Sequence, residues 1–278
     1  MLARRGVKFI SRSAVSGRPF FLELATFSPH SPYRPAPRDK HKFPGLKAPR
    51  PPSFDVLPSD PPSWLAGHPP LTDERIRRID RVFRLRVQAV QAIDHLLSRI
   101  EAALAVHHMT RNTYVVFGSD SGLHSGDYRL LPGKLTAFDT DIHVPLIVAG
   151  PNVAAKTTTN VMAENIDLAK TFAAIGATSL PSDGHSLLGV LDGETPADWR
   201  NAILVERHGP DLDSSDPDAQ AGPSGNPTSY EAMRTSRSLY VEYRDGEREL
   251  YDLQRDPLSC TTSQPGSHRS NSSGCTPS

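Results

Sequence analysis

The amino-acid sequence predicts an α/β fold, with a mostly parallel sheet covered by helices and a small antiparallel β subdomain towards the carboxyl end. Two observations predict it. Short, continuous apolar runs alternate along the chain with segments of helical periodicity, which is typical of parallel strands buried on both faces. A later segment instead alternates residue by residue around an Asp-Gly turn, which is typical of an antiparallel hairpin.

Three apolar runs predict the strands of the parallel sheet: residues 18–27, 112–118 and 144–149. The first run ends near Pro29, and prolines recur from there to about residue 71. Proline excludes regular structure over such a stretch, and a loop of this length in a compact domain is usually functional. We therefore expect a long loop that covers or lines a cleft.

Two segments predict helices. Thr72 is a suitable N-cap, Asp73 and Glu74 follow it in the first turn, and apolar residues recur at helical spacing as far as Ile100. Residues 167–175 predict a second, shorter helix after the third strand. Strands that alternate with such helices favour a parallel sheet.

The predicted organisation has four parts. A partial α/β domain spans 1–208, a Pro/Asp/Ser/Gly-rich linker spans 209–228, a β-hairpin subdomain spans 229–258, and a polar, disordered tail spans 259–278. Cys260 and Cys275 fall in that tail. We expect both to be free thiols rather than part of a disulfide framework.

The charge balance gives no sign of a polyanionic partner. Lys and Arg together number 31, as do Asp and Glu, so the formal net charge is zero and recognition is expected to be local, without nucleic acid or a membrane. The basic first ten residues lack the apolar core of a signal peptide, and no apolar run is long enough to cross a bilayer. The sequence as written predicts a cytoplasmic protein.

Polar residues follow two of the predicted strands. Asp120 comes directly after the second strand and His30 shortly after the first, and in parallel sheets such positions gather at one rim where ligands bind. A carboxylate there can hold a hard cation, although Asp120 can equally cap its own turn. Lys134, after Pro132-Gly133, can meet an oxyanion as a point charge or simply be solvated.

Several segments occur in an order that resembles the sulfatase family. They are Arg-Pro-Phe-Phe-Leu at 18–22, Ser-Pro-His-Ser-Pro at 28–32, Ser-Asp-Ser-Gly-Leu-His-Ser-Gly at 119–126, Gly-Lys at 133–134, and the segments 141–148, 165–169, 183–188 and 249–257. The resemblance covers about residues 9–257. It is nearest to members that act on sulfated sugars or aryl sulfates, such as arylsulfatases and N-acetylglucosamine-6-sulfatases.

The resemblance implies an alkaline-phosphatase-like, three-layer αβα sandwich, here partial. In that family a formylglycine attacks the sulfur of a sulfate ester while a calcium ion neutralises the sulfate. By position, the resemblance implies that His30 and Lys134 are catalytic, that His124 contacts substrate, and that Asp120 and Ser121 are metal ligands. The implied partner is a sulfate-ester small molecule or a sulfated sugar.

The sequence departs from the family pattern in two places. The Cys/Ser-x-Pro/Ala-x-Arg motif that supplies the formylglycine, and the acidic calcium ligands that accompany it, are absent from these residues. Ser121 stands where the family usually has an asparagine, and a hydroxyl is a poorer calcium ligand than an amide carbonyl. We therefore expect a weak or incomplete calcium site and a truncated chain that is inactive alone, a pseudoenzyme whose amino-terminal half is missing.

Three alternatives stay open. The chain can be the active part of a split or longer sulfatase, whose full-length relatives are often exported. It can be a non-enzymatic module that binds a sulfated or phosphorylated ligand through Lys134, His30 and His124. A phosphomonoester or phosphonate hydrolase on the same fold ranks below a sulfatase.

Overall fold

The computed structural model describes residues 1–210, 212–215 and 219–262. The chain divides into two compact units, each assembled from several segments. Unit 1 comprises Met1–Pro49, Ile76–Val115 and Ala149–Pro151, and unit 2 comprises the rest of the chain. The predicted boundaries at 208 and 228 both fall within the last segment of unit 2, and the predicted four-part organisation stays a prediction.

The described residues contain six α-helices and six strands. The helices are α1 (Leu2–Ser16), α2 (Ser63–Ala66), α3 (Asp73–Val106), α4 (Asp139–Ile142), α5 (Ile166–Ile175) and α6 (Leu188–Leu191). The strands are β1 (Val115–Gly118), β2 (Leu146–Ala149), β3 (Ala202–Arg207), β4 (Tyr230–Thr235), β5 (Ser238–Tyr243) and β6 (Arg248–Asp252). None of the helices in the described part of the chain is long and apolar enough to cross a membrane.

The long helix α3 confirms the prediction from Thr72 onward. The Thr72 hydroxyl accepts a hydrogen bond from the Arg75 backbone N–H at 3.3 Å, which is the expected N-cap contact. The helix continues for six residues beyond the predicted end at Ile100. Its buried residues Leu96, Ile100 and Leu104 build most of the apolar core of unit 1.

The helix α1 is absent from the prediction. It ends at Ser16 because Gly17 adopts a left-handed φ of 63°, and the Gly17 N–H bonds the Ala14 carbonyl. Ile10 and Gly6 are buried against the core of unit 1, and a Cβ at Gly6 would lie 2.8 Å from Ile100 Cδ1. Packing of a narrow apolar face therefore holds this helix, whose first turn has no side-chain cap.

The predicted strand at 18–27 is not a strand. Residues 18–27 are extended without a ladder; Phe20 and Leu22 pack on the unit 1 core, whereas Phe21 and Phe27 are exposed. Packed and exposed side chains alternate here, whereas the prediction assumes continuous burial. The other two predicted strands are confirmed in shortened form as β1 and β2, which pair in a two-stranded sheet.

The carboxyl-terminal sheet of unit 2 is larger than the predicted hairpin. β3, β4, β5 and β6 pair antiparallel in chain order, and the turn at Asp245-Gly246 joins β5 to β6 as predicted. β3 lies before the predicted linker, so this sheet begins earlier than expected. Its buried face carries Leu239, Val241 and Tyr251 into the main core of unit 2.

The residues after Leu258 are expected to be disordered, yet 259–262 are packed. Cys260 is 4% exposed, and the Ser59 N–H donates to its carbonyl at 3.0 Å. Cys260 is also disulfide-bonded, so the expectation of a free thiol is wrong at this position. Cys275 and the other residues of 263–278 lie outside the described residues.

Candidate active site

The five predicted site residues fall in both units. His30 belongs to unit 1, whereas Asp120, Ser121, His124 and Lys134 belong to unit 2. The four residues of unit 2 come from the turn after β1 and from the loop that precedes α4. The turn after β1 supplies three of these four.

His124 is fully buried and both of its ring nitrogens face hydrogen-bond acceptors. Nδ1 lies 2.9 Å from both carboxylate oxygens of Asp141, and Nε2 lies 2.9 Å from the Ser224 carbonyl. An imidazole can donate from both nitrogens only when it is protonated. The observed contacts of His124 hold the surrounding loops in place. A substrate could contact the ring nitrogens only if one of these hydrogen bonds broke, so the substrate-binding role of His124 stays a prediction.

Charge and burial compete at His124. Burial lowers the pKa of the imidazole, but the negative charge of Asp141, its hydrogen bond and the Ser224 carbonyl outweigh that effect. The pKa of His124 is consequently raised above its ordinary value of 6.5. The charged imidazolium is thus the form that this pocket favours.

Asp141 joins His124 to the loop that carries Lys134. One carboxylate oxygen accepts the His124 backbone N–H at 2.9 Å, and the other accepts the backbone N–H and the hydroxyl of Thr136 at 2.9 and 2.7 Å. His124 and Gly133 also form an isolated antiparallel bridge through their backbones. The half-buried Lys134 therefore lies in a four-residue stretch that is fixed at both ends.

Glycine is required at the start of that stretch. A Cβ at Gly133 would lie 2.1 Å from the Ser224 carbonyl oxygen and 2.9 Å from His124 Nε2. Because a side chain does not fit there, the Ser224 segment can approach closely enough to accept the hydrogen bond of His124. The Leu131 N–H adds a 2.7 Å hydrogen bond to the Pro223 carbonyl nearby.

Asp120 and Ser121 do not form a complete cation site. Asp120 is exposed, and one of its carboxylate oxygens accepts a hydrogen bond from the Ser121 N–H at 2.9 Å. An aspartate in a turn commonly caps the backbone in this way. Calcium takes about six to eight oxygen ligands, several of them charged. Across the described residues, no group of three or more His, Cys, Asp or Glu side chains is placed to hold a metal ion. The donors present therefore do not fit a calcium ion without further ligands.

His30 lies in the loop after the extended segment of unit 1. Its Nδ1 is 2.9 Å from the Ser31 carbonyl, and its ring is 5.3 Å from the ring of Phe27. The Arg86 guanidinium of α3 donates to the Pro29 carbonyl at 3.5 Å and lies 6.0 Å from the Tyr33 ring. The long helix thus supports the loop that presents His30.

A second buried ionic cluster in unit 2 is absent from the sequence prediction. Asp167 is fully buried, forms two hydrogen bonds with Arg200, and accepts the backbone N–H groups of Glu164 and His185 at 2.8 and 2.7 Å. Burial raises the pKa of Asp167, but these hydrogen bonds outweigh it and lower the pKa below its usual range. Two of the segments that carry the family resemblance, 165–169 and 183–188, contain Asp167 and His185, but neither indicates that Arg200 joins them.

Two family models match the chain. The model described as "Sulfatase" matches residues 2–176, and the model described as "N-sulphoglucosamine sulphohydrolase, C-terminal" matches residues 126–264. Between them the two matches include all five predicted site residues.

Curated proteins match over most of this chain. It is 32% identical over 270 residues to the human N-acetylglucosamine-6-sulfatase, covering 87% of this chain and 48% of that protein. It is 31% identical to the goat N-acetylglucosamine-6-sulfatase, covering 92% and 50%, and 28% identical to the sulfatase ppz1 of Metarhizium majus, covering 93% and 58%. The chain therefore spans about half the length of the curated relatives it matches.

Solved structures support the predicted fold. A protein whose structure is solved in complex with its substrate D-glucosamine-2-N,6-O-disulfate matches with a TM-score of 0.75 at 19% identity, over 92% of this chain and 65% of that one. A putative sulfatase from Bacteroides fragilis matches with a TM-score of 0.70 at 21% identity, over 92% and 52%. A phosphonate monoester hydrolase from Silicibacter pomeroyi gives 0.69 at 25% identity, over 90% and 53%. The α/β, alkaline-phosphatase-like fold class is thereby confirmed.

Proposed function

Because this chain belongs to the sulfatase family, we propose that it supplies one part of a centre that hydrolyses sulfate esters of sugars or aryl alcohols. One observation carries the proposal furthest. The loop with Lys134 is fixed between His124 and Asp141, and such a fixed loop can present a cation to an anion without rearrangement.

The two predicted catalytic residues have chemically distinct roles in this proposal. Sulfate-ester cleavage builds negative charge on the ester oxygen, and a preorganised cation or proton donor lowers the energy of that state. Lys134 would contact the sulfate oxygens as a point charge. His30 would donate a hydrogen bond or a proton to the leaving oxygen.

The nucleophile is not among these residues. Nowhere in the 278 residues does a Cys or Ser precede a Pro or Ala by two positions and an Arg by four. We propose that the chain alone does not turn over a sulfate ester and that a further polypeptide segment supplies the formylglycine. Calcium enters this proposal only as a weakly bound ion, and no catalytic step is assigned to it.

The test is reconstitution. A chromogenic aryl sulfate is incubated with the chain alone and with the chain plus a sulfatase-type amino-terminal half that bears the nucleophile motif, in calcium buffer. We expect turnover only in the mixture, and a loss of at least about 100-fold with Lys134→Ala. Lys156→Ala removes an exposed lysine of unit 2 and should leave the rate unchanged. Turnover by the chain alone would overturn the proposal.

A second candidate is a module that binds sulfated ligands without hydrolysis, favoured by the missing nucleophile motif. Calorimetry with glucosamine 6-sulfate separates it from the first: binding that needs Lys134, with no product in a folded reconstituted mixture, would support the module. A phosphonate monoester in the same assay tests the remaining alternative. Faster release from the phosphonate than from the sulfate ester would assign the centre to that chemistry.

A further inference from the structure

The zero net charge of the chain conceals two units of opposite charge. Unit 1 contains 17 Lys and Arg against 5 Asp and Glu, a net charge of +12. The rest of the chain contains the remaining 14 Lys and Arg against 26 Asp and Glu, a net charge of −12. Overall neutrality therefore does not exclude a polyanionic partner for unit 1.

The basic residues of α1 lie on one face. Arg4, Arg5, Lys8 and Arg12 are all exposed, and helical periodicity places them within an arc of about 100°. Arg4, Lys8 and Arg12 follow one another at intervals of about 6 Å along the helix axis. The first 22 residues contain no acidic side chain. We refer to these four side chains as the basic stripe.

The basic stripe is not neutralised within the described part of the chain. Among the ion pairs formed by described residues, none includes a side chain of the stripe, whereas Arg200 and Arg234 of unit 2 each pair with a buried or half-buried aspartate. Four adjacent cations without counter-charges repel one another and attract an external polyanion. Binding of a polyanion would therefore lower the electrostatic free energy of this surface.

The opposite face of α1 packs against the core of unit 1. Ile10 and Gly6 are buried, and Leu2, Ala3 and Val7 pack against the core of unit 1. An amphipathic helix that binds a bilayer needs its apolar face for insertion, and here that face packs on protein. The stripe is therefore suited to ionic contact with a soluble polymer.

We propose that the basic stripe of α1 binds a linear sulfated polysaccharide. The choice of a sulfated sugar rests on the proposed function, which takes the same chemical class as substrate. Arginine forks match the oxygens of sulfate groups, and three of the four stripe residues are arginine. The nearest exposed aromatic side chain on α1, Phe9, packs edge-on against Phe20 with ring centroids 5.7 Å apart, so the stripe offers no free platform on which nucleic-acid bases could stack.

The test measures binding of the full chain to heparin as a function of salt. The variant Arg4→Gln/Arg5→Gln/Lys8→Gln/Arg12→Gln removes the stripe while keeping good helix formers. We expect heparin affinity to fall by at least about 10-fold at 0.15 M salt, and the dependence of log K on log salt concentration to become less steep. The matched control, Lys156→Gln/Arg237→Gln/Arg244→Gln/Arg255→Gln, removes four exposed positive charges from unit 2 and should bind like the parent chain.

Competition identifies the partner. Single-stranded DNA and anionic phosphatidylserine vesicles are added at equal negative charge to the heparin-bound chain, and unsulfated hyaluronan serves as a polyanion without sulfate. If hyaluronan, DNA or the vesicles compete for the chain as effectively as free heparin does, the assignment to a sulfated sugar is overturned. Equal loss in both quadruple variants would overturn the assignment to α1. Because binding is measured without turnover, a failed reconstitution assay would leave this result standing, and failed heparin binding would leave the hydrolysis test standing.

Discussion

The imidazole of His124 and the carboxylate of Asp141 form the ionic contact around which the candidate site of unit 2 is arranged. Both side chains are buried, and each Asp141 oxygen lies 2.9 Å from His124 Nδ1. The pair ties the turn after β1 to α4 and, through Thr136, to the loop that carries Lys134.

The first prediction concerns the pH dependence of His124. Because its pKa is raised when the chain is folded, the stability it contributes is fully present below about pH 6.5 and is lost as the pH rises through the folded-state pKa. His124→Gln should cost about 3 kcal/mol of unfolding free energy at pH 6, and less at pH 8.5. Urea unfolding at both pH values measures this. As a control, His143→Gln at an exposed position should change the unfolding free energy by less than about 0.5 kcal/mol. If the cost of His124→Gln did not depend on pH, His124 would not form an ion pair with Asp141.

A second prediction concerns the close approach at Gly133. Gly133→Ala introduces a Cβ that would lie 2.1 Å from the Ser224 carbonyl, so the loop with Lys134 must move. We expect a loss of about 2 kcal/mol in thermal or urea unfolding, together with reduced activity in the reconstituted mixture. Gly222→Ala is the control, because nothing lies within 4 Å of its added Cβ. If the two variants unfolded with the same free energy, the close approach of Ser224 would not be what requires glycine at position 133.

The third prediction concerns the buried pair of Arg200 and Asp167. Arg200→Gln leaves the Asp167 carboxylate buried without its cation and should destabilise the chain by about 3 kcal/mol. The stability that Asp167 contributes is present above its ordinary pKa and lost as the pH falls through its lowered folded-state pKa, so the cost should shrink in acid. Arg248→Gln breaks an exposed pair with Glu242, which water and salt screen, so it should leave the unfolding free energy nearly unchanged. Denaturant unfolding at pH 7 and pH 3.5 distinguishes these outcomes.

The fourth prediction concerns Glu249 in the carboxyl-terminal sheet. Burial raises the pKa of its carboxyl group to about 7, even though the hydroxyls of Tyr243 and Tyr251 both donate to it. The folded chain therefore holds a proton that the unfolded chain releases above about pH 4.5, and stability falls as the pH rises from 4.5 towards 7.

Glu249→Gln removes that titration. Relative to the parent chain, the variant should gain roughly 3 kcal/mol of unfolding free energy between pH 4.5 and pH 8. Tyr243→Phe removes a hydrogen bond that lowers the pKa of Glu249, so its fall in stability should extend to a higher pH than that of the parent chain. A constant difference between the Gln variant and the parent across this range would show that Glu249 titrates normally.

The fifth prediction concerns calcium. With one exposed carboxylate and one serine hydroxyl, the turn at Asp120 should bind calcium with a dissociation constant well above about 1 µM, measured by titration calorimetry on the chain alone. Ser121→Asn supplies an amide carbonyl and should tighten binding only modestly, because the number of charged ligands is unchanged. Sub-micromolar binding by the parent chain would show that oxygens elsewhere in the chain complete the site.

Sequence patterns are most informative where local chemistry decides the structure. The cap at Thr72 and the helix after it, the Asp-Gly turn between β5 and β6, and the family resemblance from the order of the motifs are all confirmed. Capping and turn formation depend on residues a few positions apart. That dependence is why those predictions hold.

Tertiary structure decides what depends on partners far along the chain. His124 is 100 residues from Ser224, and Asp167 is 33 residues from Arg200, so no local pattern indicates that either contact forms. The apolar run at 18–27 acquires no strand partner among the described residues, and α1 is held by packing rather than by its own caps. The fold class and the family follow from the order of residues alone, whereas burial and long-range hydrogen bonding decide which polar side chains are charged, positioned or left exposed.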